Sequence, residues 1–176
     1  MPRTAGPGGG YRPSVRVQPI AQHQYRELAD LTVAAYRALP NTPLSPGYEA
    51  VLRDVAGRDR DAAVLVAIDD DGTLLGGVTY VPGPDNPYAE FDGDDQAGFR
   101  MLAVRPHLQG HGAGTALVDA CIDRARRDGK REVTLYTTNG MVAAHRVYER
   151  FGFRRAPEFD MMVEDQLQLL SYVLTL

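Results

Sequence analysis

The sequence predicts an α/β (α+β) fold built on one mixed sheet, and three observations predict it. Apolar runs of strand length alternate with amphipathic stretches of helical period along the chain. At 44% hydrophobic and 24% charged, the composition is that of an ordinary globular domain. The 176 residues suffice for one core of normal size, so no disulfide or metal staple is required.

Residues 1–13 are rich in Gly and Pro and carry no apolar run. They predict a disordered tail over 1–14 and no secretory signal, leaving a single domain over 15–176. Val15-Arg16-Val17 alternates and fits a short first strand. Residues 21–39 place Tyr25, Leu28, Ala29, Thr32, Ala35, Tyr36 and Leu39 at helical spacing. Ser45-Pro46 reads as an N-cap with Pro at the first helical position, opening a second helix to about residue 56 with Val51, Leu52 and Val55 on one face. Residues 62–68 are continuously apolar, the pattern of a strand covered on both faces. Asp69-Asp70-Asp71-Gly72 is a hairpin turn, and residues 74–81 are the returning strand.

Residues 82–95 form a loop carrying Asp85, Glu90, Asp92, Asp94 and Asp95. Residues 99–104 are another apolar strand. A helix over 115–127 shows the stripe Leu117, Val118, Cys121, Ile122 and Ala125, with Gly129 as its C-cap. Residues 132–137 are a strand. Residues 141–151 are a helix capped by Gly152, with Phe153 free to pack back on it. Residues 169–176 alternate as a closing strand with Leu170, Tyr172, Leu174 and Leu176 on one side, an apolar strand that would suit a homodimer.

Net charge is −4 and no basic face is evident, which gives no reason to expect nucleic acid. No stretch approaches the roughly 20 apolar residues of a membrane span. Cys121 is the one cysteine and cannot form an internal disulfide, so a reducing, cytoplasmic compartment is the simple expectation. Of the 19 basic residues only Lys130 is lysine, a bias that suggests a GC-rich bacterial genome.

The segment expected to bind a ligand follows the strand over 99–104. Gln109-Gly110-His111-Gly112-Ala113-Gly114-Thr115 is a Gly-rich strand-to-helix turn. Such a turn leaves unpaired N–H groups at a helix start, which together with the helix dipole attract an anion. It is neither a dinucleotide fingerprint, since position 115 is Thr, nor a phosphate loop ending in Gly-Lys. The bland alternative is a plain Gly-rich connection.

Met101-Leu102-Ala103-Val104-Arg105-Pro106 followed by Gln109, Gly112 and Gly114 resembles the GCN5-related N-acetyltransferase (GNAT) signature Q/R-x-x-G-x-G/A after an apolar-Ala-Val strand. Ala144, Tyr148, Gly152 and Phe153 resemble the family's second feature, Ala-x-x-x-Tyr-x-x-x-Gly-Phe. The resemblance covers nearly all of residues 15–176. It implies a mixed, mostly antiparallel sheet of about six or seven strands flanked by about four helices. It also implies acetyl-CoA as co-substrate, with its pyrophosphate on Gly110, His111, Gly112, Ala113, Gly114 and Thr115 beside Gln109. The pantetheine arm would then run along Leu102, Ala103 and Val104 like an added strand.

By the same resemblance, the Val104 N–H polarises the thioester carbonyl and Tyr148 is the acid that protonates the leaving thiolate. From the helix alone Tyr148 reads as a core tyrosine, since Ala144, Val147 and Phe151 share its face, and it is the resemblance that favours a role near sulfur. Thr137 and Thr138 would line the same gap. Two departures stand out. Where relatives place a strand Glu, this chain has Ala97, Gly98 and Phe99; where they place an Asn, it has Met141, with Asn139 two residues earlier as a partial substitute.

Glu90, Asp92, Asp94, Asp95, Glu158 and Asp160 are the other carboxylates on offer, as a solvated cluster or as an attractor for a cationic acceptor. His107 and His111 lie off any regular helix and lack a third ligand, so no metal is expected. His145 reads as a surface helix residue and Cys121 as a buried inert thiol. The expected function is direct acetyl transfer from acetyl-CoA to a small-molecule or peptide amine in a ternary complex. A non-catalytic acyl-CoA-binding module is the alternative.

Overall fold

The computed structural model describes residues 14–163 and 167–176. The tail expected over 1–14 lies outside them apart from Ser14. Ser14 is tied by its backbone N–H and hydroxyl to the Asp70 carboxylate.

In chain order the elements are β1 (Arg16–Pro19), α1 (Tyr25–Arg37), α2 (Pro46–Arg53), α3 (Val55–Asp61), β2 (Ala63–Ile68), β3 (Leu74–Val81), β4 (Gln96–Val104), α4 (Ala113–Arg127), β5 (Glu132–Thr137), α5 (Val142–Arg150), β6 (Arg154–Arg155), β7 (Met161–Val163) and β8 (Leu167–Thr175). The sheet runs β1-β2-β3-β4-β5-β8-β6, with β7 added to β8. Every pairing is antiparallel except β4 with β5. The class is therefore the expected one. The additional strands are the short β6 and β7. The fifth helix arises at Asp54, whose N–H closes α2 on Ala50 while its carboxylate accepts the Gly57 N–H and opens α3. Val51, placed by periodicity on the buried face, is 39% exposed, whereas Leu52 and Val55 are buried.

β2 shows why its run is apolar throughout. Leu65 and Ala67 face a core built with α4, while Val64, Val66 and Ile68 face a second core under α1. The sheet is thus a middle layer between α1–α3 on one side and α4–α5 on the other.

β4 changes face part-way. Ala97 and Phe99 point to the α4 core, yet beyond Arg100 it is Leu102 and Val104 that pack there, while Ala103 joins the core under α1. A one-residue bulge causes the switch: β3 advances from Gly77 to Thr79 while β4 advances from Ala103 back to Arg100. Met101 takes up the extra residue at φ 56°, in the left-handed region.

Beyond the bulge β4 also parts from β5. The two strands pair only over Gln96–Gly98 and Glu132–Thr134, although both continue. Gly98 is the last residue before they separate, and a Cβ there would lie 2.6 Å from the Phe91 ring and 3.0 Å from the Thr134 carbonyl oxygen. The position leaves no room for a side chain.

The closing strand β8 is enclosed, with β5 on one side and β6 and β7 on the other. The feature on which the homodimer expectation rested is therefore used up inside the sheet.

Candidate active site

The gap left by the splayed strands opens into a cleft of about 1090 Å³. On one wall lies β4 from Leu102 to Val104. Arg105 N–H donates to Leu75 on β3 at 2.8 Å, so strand alternation turns the Val104 N–H the other way, into the gap. The edge of β4 beyond the bulge is accordingly open to an extended ligand.

The cleft floor is the start of α4. Gly112 is the N-cap at φ 91° and Gly110 sits at φ 83°, both conformations that favour glycine. The turn then delivers the first N–H groups of α4 to the cleft at Ala113, Gly114 and Thr115. Gln109 also lines it, but the His111 ring turns inward to the carbonyls of Leu108 and Gln109, each at 3.1 Å.

The opposite wall is α5. Its C-terminus explains the second motif physically. Gly152, at φ 91°, donates to Glu149 and Phe153 donates to Tyr148, so the helix ends in a left-handed glycine cap. Phe153 packs on Tyr148 with ring centroids 5.9 Å apart, the apolar contact that accompanies such a cap. Tyr148 is 4% exposed and also meets Phe99 and Tyr172. It lines the cleft all the same. Burial pushes its phenol well above the usual value, so it holds its proton at neutral pH. Arg146 and Arg150, one helical turn apart, line the same wall, and Arg150 donates to the Thr115 hydroxyl at 3.3 Å. Composition had shown no basic face; the i, i+4 arginine pair was the missed local signal.

A second cavity of about 650 Å³ lies on the α1–α2 side of the sheet. Tyr36 and Met141 line both spaces, so the two adjoin there. Its walls are otherwise largely apolar or aromatic, Tyr48 and Tyr136 among them, with hydroxyls from Thr42, Ser45, Thr137 and Thr138. Among the described lining residues only Glu90 and Arg100 are charged, and they pair at 3.1 Å. Burial pushes the Glu90 carboxyl above its usual value against the opposing influence of Arg100. Met141, which stands where an Asn was expected, is a wall shared by both spaces, while Asn139 is exposed and lines neither.

Of the six candidate carboxylates only Glu90 reaches this cavity. Asp92, Asp94, Asp95 and Glu158 are exposed. Asp160 is held by both terminal nitrogens of Arg155, each at 2.8 Å, which keeps it below its usual value. His145 departs from the surface reading: its Nε2 lies 3.2 Å from the Thr137 hydroxyl and 3.0 Å from the Thr138 carbonyl, and its ring stacks on Tyr172. Cys121 is fully buried, which raises its thiol far above the ordinary value and leaves it protonated. Among the described residues no three His, Cys, Asp or Glu side chains converge on a metal position, and no helix is long and apolar enough to cross a membrane.

Residues 25–153 match the family model described as acetyltransferase (GNAT) family. The chain belongs to that family. Mycothiol acetyltransferase of Geodermatophilus obscurus is 36% identical over 94 residues, 53% of this chain but 29% of that relative. A Salmonella typhimurium acetyltransferase solved with acetyl-CoA superposes with TM-score 0.68 at 20% identity, over 92% of this chain and 93% of that one. A Staphylococcus aureus family member reaches TM-score 0.71 at 12% identity, over 92% and 99%. The chain thus spans under a third of the mycothiol acetyltransferase it matches, while the structural likeness runs almost end to end and establishes the GNAT fold.

Proposed function

We propose that the protein is an acetyl-CoA-dependent N-acetyltransferase that passes the acetyl group directly to an amine. The observation that carries this reading is that the two spaces adjoin at Tyr36 and Met141. In this reading donor and acceptor occupy the two adjoining spaces and approach one another beside the bulge.

Acetyl-CoA supplies the activated acyl group as a thioester. Its fit rests on the open edge of β4, the left-handed glycine turn and the arginine pair. In this reading the N–H groups of Gly112, Ala113, Gly114 and Thr115 face the pyrophosphate, and Leu102 and Val104 offer backbone partners to the pantetheine arm. The Val104 N–H stands ready for the carbonyl oxygen as it gains charge. Tyr148 gives its phenolic proton to the departing sulfur. Asn139 and His111 hold no comparable position, since neither lines the cleft.

The acceptor must arrive or become neutral before attack. kcat/KM should therefore rise with pH as free amine accumulates. Because the Tyr148 phenol sits above its usual value, the acid stays protonated over the same range, and no falling limb is expected up to about pH 10. Free-thiol release from acetyl-CoA with a pool of amines, followed across pH, tests this. Tight acetyl-CoA binding without thiol release from any amine would favour the non-catalytic acyl-CoA-binding module instead.

The arginine pair should add electrostatic attraction for the donor's phosphates. Arg146→Glu/Arg150→Glu is expected to weaken acetyl-CoA about 10-fold by calorimetry, with the gap narrowing at high salt. An unchanged affinity would remove both residues from the site. The buried unpaired thiol of Cys121 and the arginine-rich composition support a bacterial cytoplasmic setting.

A further inference from the structure

Among its described lining residues the second cavity has one charged feature, which its apolar and hydroxyl-bearing walls do not explain. Glu90 arrives from the β3–β4 loop and Arg100 from β4 one residue before the bulge, and the two stand 3.1 Å apart as the charged pair among the described lining residues. Removing two charges from water is costly, and a pair used only for stability is commonly matched by apolar residues of similar volume. The pair is also incompletely satisfied. Arg100 spends one terminal nitrogen on the Tyr88 carbonyl and the other on Glu90, with the Tyr48 hydroxyl beside its guanidinium as a further partner, while its Nε is buried without a partner among the described residues. A guanidinium has five N–H donors, more than these partners use. Neither residue is sealed away: their side chains keep 25% and 22% of their surface accessible.

We propose that this pair selects acceptors whose amine carries a carbonyl oxygen on the adjacent carbon, with an apolar or aromatic side chain: an apolar α-amino acid or the first residue of a peptide. The proposal deepens the acetyltransferase reading and rests on it. The ammonium faces Glu90 and the carbonyl or carboxylate oxygen faces Arg100, so the ligand's charges lie antiparallel to the protein's. The side chain then lies against Leu44, Val51, Leu167 and Leu169, all of which line the same cavity. Arg100 stands two residues before Leu102, about 7 Å along the strand, so an amine held by the pair lies close to the open edge of β4. A partly buried donor built for an oxygen discriminates against an analogue that lacks it, because the donor is then left without that partner.

The test uses the purified protein, acetyl-CoA and three matched probe series based on leucine, methionine and phenylalanine. Each series contains the amino acid, its primary amide and the plain amine without the carbonyl. Thiol release gives kcat/KM for each. In the wild type, the amino acid or its amide should exceed the plain amine by at least about 10-fold in at least one series. The free acid leading points to amino acids, and the amide leading points to peptide ends; both outcomes support the proposal. In Arg100→Gln that advantage should collapse towards unity. In Glu90→Gln the acceptor KM should rise for all three members of a series together, because they share the ammonium.

Acetyl-CoA affinity and the thermal midpoint of each variant report whether it is folded, and Arg100→Lys, which keeps the charge but not the fork, should retain part of the preference. A plain amine used as well as its carbonyl-bearing partners would overturn the proposal. So would an Arg100→Gln variant, folded and binding acetyl-CoA, that lowers all three members equally. If other amines release thiol and none of these series does, the proposal alone fails. If no amine does, the acetyltransferase reading fails with it.

Discussion

Gly112→Asp should abolish useful acetyl-CoA binding, with Kd rising about 10²-fold. Gly112 is the N-cap of α4 at φ 91°, and a Cβ built there meets no heavy atom within 4 Å. The substitution therefore has space but acquires backbone strain, and it sets a carboxylate where the pyrophosphate is proposed to lie. Two unit charges about 6 Å apart at an effective dielectric of about 20 repel by about 3 kcal/mol, which corresponds to roughly the expected loss. The backbone cost is separable. Gly112→Asn carries the same left-handed geometry without the charge, and asparagine tolerates that region well. It should bind acetyl-CoA within about 3-fold of the wild type. Calorimetry on both folded variants decides the matter. Equal affinities for Asp and Gly at this position would show that no phosphate approaches the turn.

The layered fold was readable because its residues obey one periodicity at a time. β2 is apolar on both faces since it lies between two cores, and the two glycine caps at Gly129 and Gly152 end their helices by local geometry alone. The glycine turn and the Tyr148 cap were equally legible, each being a local pattern within one connection.

Three features were not. The face switch in β4 depends on Met101 adopting φ 56°, a conformation no residue type advertises there, and it decides that Arg100 looks to one side of the sheet while Leu102 looks to the other. The Glu90–Arg100 pair joins a loop residue to a strand residue through a fold-dependent contact, so Glu90 could not be told from its solvated neighbours Asp92, Asp94 and Asp95. His145 looked superficial because its own helix is amphipathic. What anchors it is the end of β5, reached only after the chain has turned at Gly140, where a Cβ would meet the Pro40 carbonyl oxygen at 2.5 Å.

Tyr148→Phe should lower kcat about 10²-fold while leaving acetyl-CoA affinity within about 3-fold, the signature of a group that acts only as the bond to sulfur breaks. The structure makes this substitution unusually clean. The ring packs against Phe99, Phe153 and Tyr172, at 5.9, 5.9 and 6.1 Å, and phenylalanine retains all three contacts. No hydrogen bond holds the hydroxyl among the described residues, so removing it orphans no partner, and thermal stability should change little. A core tyrosine and a catalytic one therefore predict different things from the same protein. The core role predicts an unchanged kcat, since packing is preserved. The acid role predicts the loss, with the rising pH limb intact because that limb belongs to the acceptor amine. Burial holds the phenol above its usual value, so in the wild type the proton remains available throughout that rise. The measurement is steady-state thiol release across pH for both proteins, with acetyl-CoA affinity determined separately. Equal kcat values would return Tyr148 to the core and assign the leaving sulfur's proton to water.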